Sequence, residues 1–199
     1  MVDSPTLSLL YTANLGGQLA ALPPLYTQLK ALRALFAPAL LLDLGGACAP
    51  EVWHCAATEG RSMLVALDGL GYTAANAAGL SPASRAKLIE QTALGLVGDS
   101  HTYIHGACLF ALTPTVGDGH LCVLLTPSVQ TQCDGHTLWL ETVSSGQIGV
   151  VTLVFGAEVS IQSREIHSIP LHTPPDPTIA GMVDFIEAEA RFYQRKGQS

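Results

Sequence analysis

Through the first half of the chain, continuous apolar runs alternate with stretches whose apolar residues recur at three- and four-residue spacing. Leu7 to Tyr11 reads as a buried strand, and Leu22 to Phe36, with prolines near its start, reads as the helix that follows. Pro38 to Asp43 is a second buried strand. Glu59 to Leu70 places Met63, Leu64, Leu67 and Leu70 on one helical face and stops at Gly71. Ser81 caps a further helix to about Gln91, with Pro82 at its first position. Strand, helix, strand, helix in this order predicts an α/β architecture.

Beyond Gln91 the pattern changes to short strands divided by Gly, Asp, Ser and Pro turns: 107–112, 121–126, 137–142, 149–155 and 159–167. They are expected to form a largely antiparallel sheet. Pro174-Pro-Asp-Pro-Thr178 leads into a last amphipathic helix that buries Ile179, Met182, Val183, Ile186 and Ala190, with 194–199 as a flexible tail. No repeat or linker divides the chain, so one domain over 1–199 is expected, built of two packed sheets covered by helices.

Three predicted strand ends stand where α/β proteins place ligands: Tyr11-Thr-Ala-Asn-Leu-Gly-Gly17, Leu42-Asp-Leu-Gly-Gly-Ala47 and Tyr72-Thr-Ala-Ala-Asn-Ala-Ala-Gly-Leu80. The side chains they offer are mostly Ala, Gly and Leu. The frame is that of an enzyme; the groups that would do chemistry are few.

Composition narrows the partners. The 199 residues are 48% hydrophobic, enough for one well-buried core, and no apolar run reaches the ~18 residues of a membrane span. A net charge of −7 with only 9 Lys and Arg, and no basic stripe, argues against nucleic acid. The charged fraction of 13% leaves apolar surface that a second copy or another protein would cover. The amino terminus lacks a basic segment before an apolar one, so a secretory signal is not expected and the cytoplasm is. Cys48, Cys55, Cys108, Cys122 and Cys133 are odd in number and form no Cys-x-x-Cys pair, which points to reduced thiols.

The order of these landmarks resembles the calcineurin-like metallophosphoesterases, in particular the amino-terminal domain of the 5′-nucleotidase branch. Leu10-Tyr-Thr-Ala-Asn-Leu-Gly-Gly17 is similar to that family's opening Thr-Asn-Asp-x-His-Gly segment, and Leu41-Leu-Asp-Leu-Gly-Gly46 to its Leu-Leu-Asp-x-Gly-Asp segment. Gly60 to Tyr72 resembles the helix before its Gly-Asn-His-Glu motif, and Val143 to Gly149 the turn before its closing hairpin. The resemblance implies a sandwich of two mixed β-sheets flanked by helices.

It also implies a pair of divalent cations held by Asp, His and Asn, which would activate water and neutralise phosphoryl charge. Matched residue by residue, Asn14 stands for a ligand Asp, Gly16 for a His and Gly46 for the bridging Asp. Asp43 matches a residue beside the ligands. Gly79 and Leu80 stand for the Asn and the catalytic His, with Asn76 as a substitute amide if the loop shifts. In the stretch from Leu124 to Gly146, where later His ligands belong, Asp134-Gly-His136 is what remains. The expectation is a catalytically degenerate domain with no cofactor, serving as a binding or assembly module. The alternative is an active phosphoesterase or nucleotidase whose metal pair uses unconventional or intersubunit ligands.

Other groups carry lesser readings. Asp99, His101 and His105 are competent ligands, but an extended segment with exposed or hydrogen-bonded histidines is the ordinary use. Cys48 and His54 could form a nucleophilic pair, against a small structural thiol. Gly16-Gly17 and Gly45-Gly46 could turn N–H groups toward an anion, against simple tight turns. Trp53 and Trp139 read as buried anchors.

Overall fold

The computed structural model describes residues 5–116 and 119–196. The first strand, β1 (Thr6–Thr12), is followed by a single 3-10 turn and helix α1 (Leu22–Leu35), then β2 (Ala39–Asp43), the short α2 (Trp53–Ala57) and α3 (Arg61–Gly69). Next come β3 (Ala74–Asn76), α4 (Pro82–Gln91), β4 (Gly95–Val97), β5 (Tyr103–His105) and β6 (Cys108–Ala111). The chain continues with β7 (Leu121–Leu124), β8 (Gln132–Cys133), β9 (Thr137–Trp139), β10 (Gln147–Phe155), β11 (Val159–Ser168) and α5 (Pro177–Lys196).

Two mixed sheets result. The larger has the order β11-β10-β1-β2-β3-β4, with β1 to β4 parallel and the β10–β11 hairpin antiparallel on the β1 edge. The smaller has the order β5-β6-β7-β9-β8. Here the expected antiparallel sheet is corrected: β6, β7 and β9 run parallel, only the edge strands β5 and β8 oppose them, and β10 and β11 belong to the other sheet. Period-two alternation is the same for a strand run in either direction, so the pattern could not choose.

The continuous apolar character of β1 and β2 follows from burial on both faces. Leu9, Tyr11 and Leu42 face the second sheet, where Phe110, Val123 and Leu138 meet them. Leu10 and Leu41 face the other way, against Leu25 and Leu29 of α1, Met63 and Leu67 of α3 and Ile186 of α5. The Tyr11 ring lies against its cross-strand partner Gly149, where an added Cβ would run into the ring. Any side chain there would displace the aromatic.

Helix α5 buries Ile179, Val183, Ile186 and Ala190 as the spacing predicts, with Met182 half-buried beside them. Its start is fixed by Asp176, whose carboxylate accepts from the N–H groups of Thr178 and Ile179 and pairs with Lys30 of α1. The Lys30 ammonium holds the Asp176 carboxyl below its ordinary range. The helix runs through Lys196, so the expected frayed tail is helical over 194–196, while 197–199 lie outside the described residues. Residues 1–4, on which the signal-peptide reading rests, also lie outside them. Among the described residues no helix is long and apolar enough to cross a membrane.

Candidate functional site

The carboxyl ends of β1, β2 and β3 open onto a shared cleft. Its floor is a pair of turns joined through their backbones: Asn14 N–H donates to Gly45 O at 2.8 Å, Gly16 N–H to Gly46 O at 2.8 Å and Gly17 N–H to Ala47 O at 2.7 Å. Gly45 N–H donates to the Asp43 carboxylate at 3.0 Å. The anion-binding reading of the Gly16-Gly17 turn is thereby corrected, since its two N–H groups already donate to carbonyls of the chain itself. Gly46 has φ +69°, and an added Cβ would stand 2.9 Å from Asn14 Oδ1 and 3.1 Å from Asn14 Cα. The close approach of these turns requires glycine.

The polar side chains at the strand ends tie the two sheets together. Asn14 Nδ2 donates to Val143 O at 3.1 Å and to Thr142 Oγ1 at 3.3 Å, beyond the end of β9. Asn76 Nδ2 donates to Leu44 O at 3.2 Å and to Leu125 O at 2.8 Å, while its Oδ1 accepts from Ala78 N–H. Both amides are engaged with protein groups. Sequence reasoning missed Leu125, Thr142 and Val143, which contribute mainly carbonyls and so carry no side-chain signal.

Asp43 is fully buried, and desolvation pushes its carboxyl up to about 7 against one opposing bond from Gly45 N–H. Its Oδ1 has no partner. The nearby Tyr72 hydroxyl bonds Thr12 Oγ1 at 2.9 Å and is also held above its ordinary range by burial.

Beside the turns lies a cavity of about 700 Å3, bordered by Gly46, Cys48, Cys55, Glu59, Asn76 and Leu80. Gly79 also borders it, with open space around its Cα, whereas Leu80 turns into the helix-side core. Ser81 caps α4 by accepting from Ser84 N–H at 3.2 Å, as its position predicts. Asn14 and Gly16 lie in the turn bonded to 45–47 and Asp43 is buried beside it, while Gly46, Asn76, Gly79 and Leu80 border the cavity. His136 does not. It precedes β9 and borders a separate cavity with Pro114, His120 and Glu158, at the end of the second sheet opposite to Leu125 and Val143.

The donor set at the strand ends does not fit a pair of divalent cations. Such ions are held by several carboxylates and imidazoles that also offset their charge. Here the side chains are two amides engaged with protein groups and a single buried carboxylate, Asp43, which burial pushes up to about 7. Among the described residues, three metal-competent side chains come within 4.8 Å of one another elsewhere, at Cys48 and Cys55 on the cavity wall and the buried His54 behind them.

That wall corrects two expectations. Cys48 and Cys55 are joined as a disulfide with Cα atoms 5.7 Å apart, although Cys108, Cys122 and Cys133 are free. His54 is not set against a free Cys48 thiol; its Nδ1 lies 2.8 Å from Ser62 Oγ and its Nε2 2.8 Å from Gly17 O. His101 and His105 are exposed, on and beside β5. Trp53 is partly exposed under the Arg191 guanidinium rather than a buried anchor, while Trp139 packs on the outer face of the second sheet.

No protein-family model matches the sequence, and no curated protein matches it. Solved structures do match the fold. The NAD nucleotidase of Haemophilus influenzae superposes with a TM-score of 0.66 at 8% identity, over 95% of this chain and 61% of that one. The 5′-nucleotidase precursor of Thermus thermophilus superposes with a TM-score of 0.64 at 11% identity, over 94% of this chain and 59% of that one. The chain thus spans about three-fifths of the length of these neighbours. At such identities the likeness is one of architecture: two mixed sheets flanked by helices, the metallophosphoesterase-like fold of 5′-nucleotidase amino-terminal domains.

Proposed function

We propose that this chain is a catalytically degenerate member of the metallophosphoesterase-like fold, acting in the cytoplasm as a binding or assembly module. The observation that carries the reading is the state of the strand ends. Asn14 and Asn76 spend their amide N–H groups on Thr142 Oγ1 and on the carbonyls of Val143, Leu44 and Leu125, and Gly46 leaves no room for a longer side chain. A two-metal hydrolase needs those positions for ligands, because the cations supply both the nucleophile and the charge stabilisation.

The cavity next to the turns supports the binding role. About 700 Å3 is ample for a small organic ligand or an inserted side chain, and much of its border is apolar: Ala47, Pro50, Leu64 and Ala77. The same space favours a second reading, an active phosphoesterase in which another copy supplies the ligands. A screen of phosphomonoesters and phosphodiesters with Mn²⁺, Zn²⁺ or Mg²⁺ separates the two. Absence of metal-dependent turnover is expected; turnover that falls on changing Asn14 to Ala would overturn the degenerate reading.

A further inference from the structure

We propose that the reduced chain holds a Zn²⁺-type ion on Cys48, His54 and Cys55, at a site separate from the strand-end positions of the neighbouring enzymes' fold. One donor atom of each lies within 4.8 Å of the other two, and on reduction the two sulfurs, joined now as a disulfide, need only move apart to the spacing of ligands around one tetrahedral ion. Cys55 and His54 are buried in α2 and its core contacts, and Cys48 is half-buried in the loop after β2.

His54 is held in the tautomer this role needs, with a lone pair on Nδ1 that now accepts from the Ser62 hydroxyl and that the ion would take over. Gly17 O can only accept, so the imidazole proton sits on Nε2 and the lone pair on Nδ1. Nδ1 faces Ser62 Oγ at 2.8 Å, and that hydroxyl lies 3.8 Å from Cys48 Sγ. An imidazole that ligates through one nitrogen while the other donates to a backbone carbonyl is the arrangement that fixes tautomer and ring direction at metal centres. Two thiolates also cancel the charge of a divalent ion, so the buried centre carries no net charge. Both cysteines border the 700 Å3 cavity, which leaves a fourth coordination position for water or an incoming donor.

The disulfide and the ion exclude each other. A protein or small-molecule dithiol supplies two electrons and two protons to the Cys48–Cys55 bond, giving two thiols and leaving the dithiol as its own disulfide. Binding of the cation then releases the two thiol protons to solvent. In a reducing compartment the pair would be a ligand set, and in an oxidising one a covalent strap.

Cobalt(II) tests the site, since thiolate ligation gives a near-ultraviolet charge-transfer band. Metal-free full-length protein, reduced with a dithiol under anaerobic conditions, is expected to take up a single equivalent of Co²⁺ with that band, displaced by Zn²⁺. Protein left oxidised is expected to show none. Cys48→Ser and His54→Gln should weaken binding by at least about 100-fold and tenfold respectively, whereas Cys133→Ser should not change it. Cys48 is half-buried, so its serine variant remains informative if the His54 variant does not fold. A band retained in Cys48→Ser, lost in Cys133→Ser, or absent from reduced wild type overturns the proposal. Loss of native circular dichroism on reduction would also overturn it, because the ligands converge only in the fold.

Discussion

Where the turns at 14–17 and 45–47 meet, their backbone groups are spent on each other and Asn14 reaches the second layer; along the rest of the cavity border, Cys48, Cys55 and Gly79 face open space. The two sides are adjacent in sequence and differ in what a substitution would meet. At Gly46 an added atom collides with Asn14, and at Gly79 it meets nothing within 4 Å. The first side is packed and bonded like a core, and the second retains the room of a binding site. A functional position cannot be judged by its place at a strand end alone; what its backbone and side chains already hold decides what it can still do.

The most severe way to challenge this contrast is Gly46→Asp, which installs a carboxylate at the crowded turn. Positive φ and contact with Asn14 are expected to lower unfolding free energy by about 3 kcal/mol, read by chemical denaturation. Retention of full stability would mean that the turns can separate and that the closed side is not closed.

Asp43 gives an effect of comparable size that depends on pH. Its folded-state carboxyl is raised to about 7, so between the unfolded value and that point the folded chain keeps a proton the unfolded chain has released. Stability contributed by this group is complete below about pH 4, falls as pH rises toward about 7 and then levels, a loss of about 4 kcal/mol. Asp43→Asn should flatten that slope in denaturation curves taken across the range. An unchanged slope would place the titration elsewhere.

Asn76→Ala removes donors from Leu44 O and Leu125 O and is expected to cost about 2 kcal/mol. It should leave the circular dichroism intact, and a loss below about 0.5 kcal/mol would show that water replaces the amide. Gly79→Ala is the smallest change, expected within about 0.5 kcal/mol of wild type. A large loss there would erase the difference between the two sides.

Much of this molecule was legible in the chain. Pro177 and Asp176 mark the start of α5, and the three- and four-residue spacing from Ile179 to Ala190 marks its buried face, because a helix on a core has a single way to turn. The strand ends were legible for a related reason, since apolar runs followed by Gly-rich turns are what doubly covered parallel strands look like. Strand direction was not, and with it went the place of His136. With β9 parallel to β7, residue 136 falls at the end away from the cleft and Val143 at the end beside it. The Cys48–Cys55 bond was also hidden, because the loop after β2 and the five-residue α2 leave no periodicity to align them.

The amides of Asn14 and Asn76 have a mechanical consequence. Each reaches from a strand end of the larger sheet to backbone beyond the corresponding strand of the smaller one. Sandwich layers held mainly by non-directional apolar contact can slide and splay at their rims. Two directional bridges at the same rim act as rivets, fixing the spacing of the two layers there.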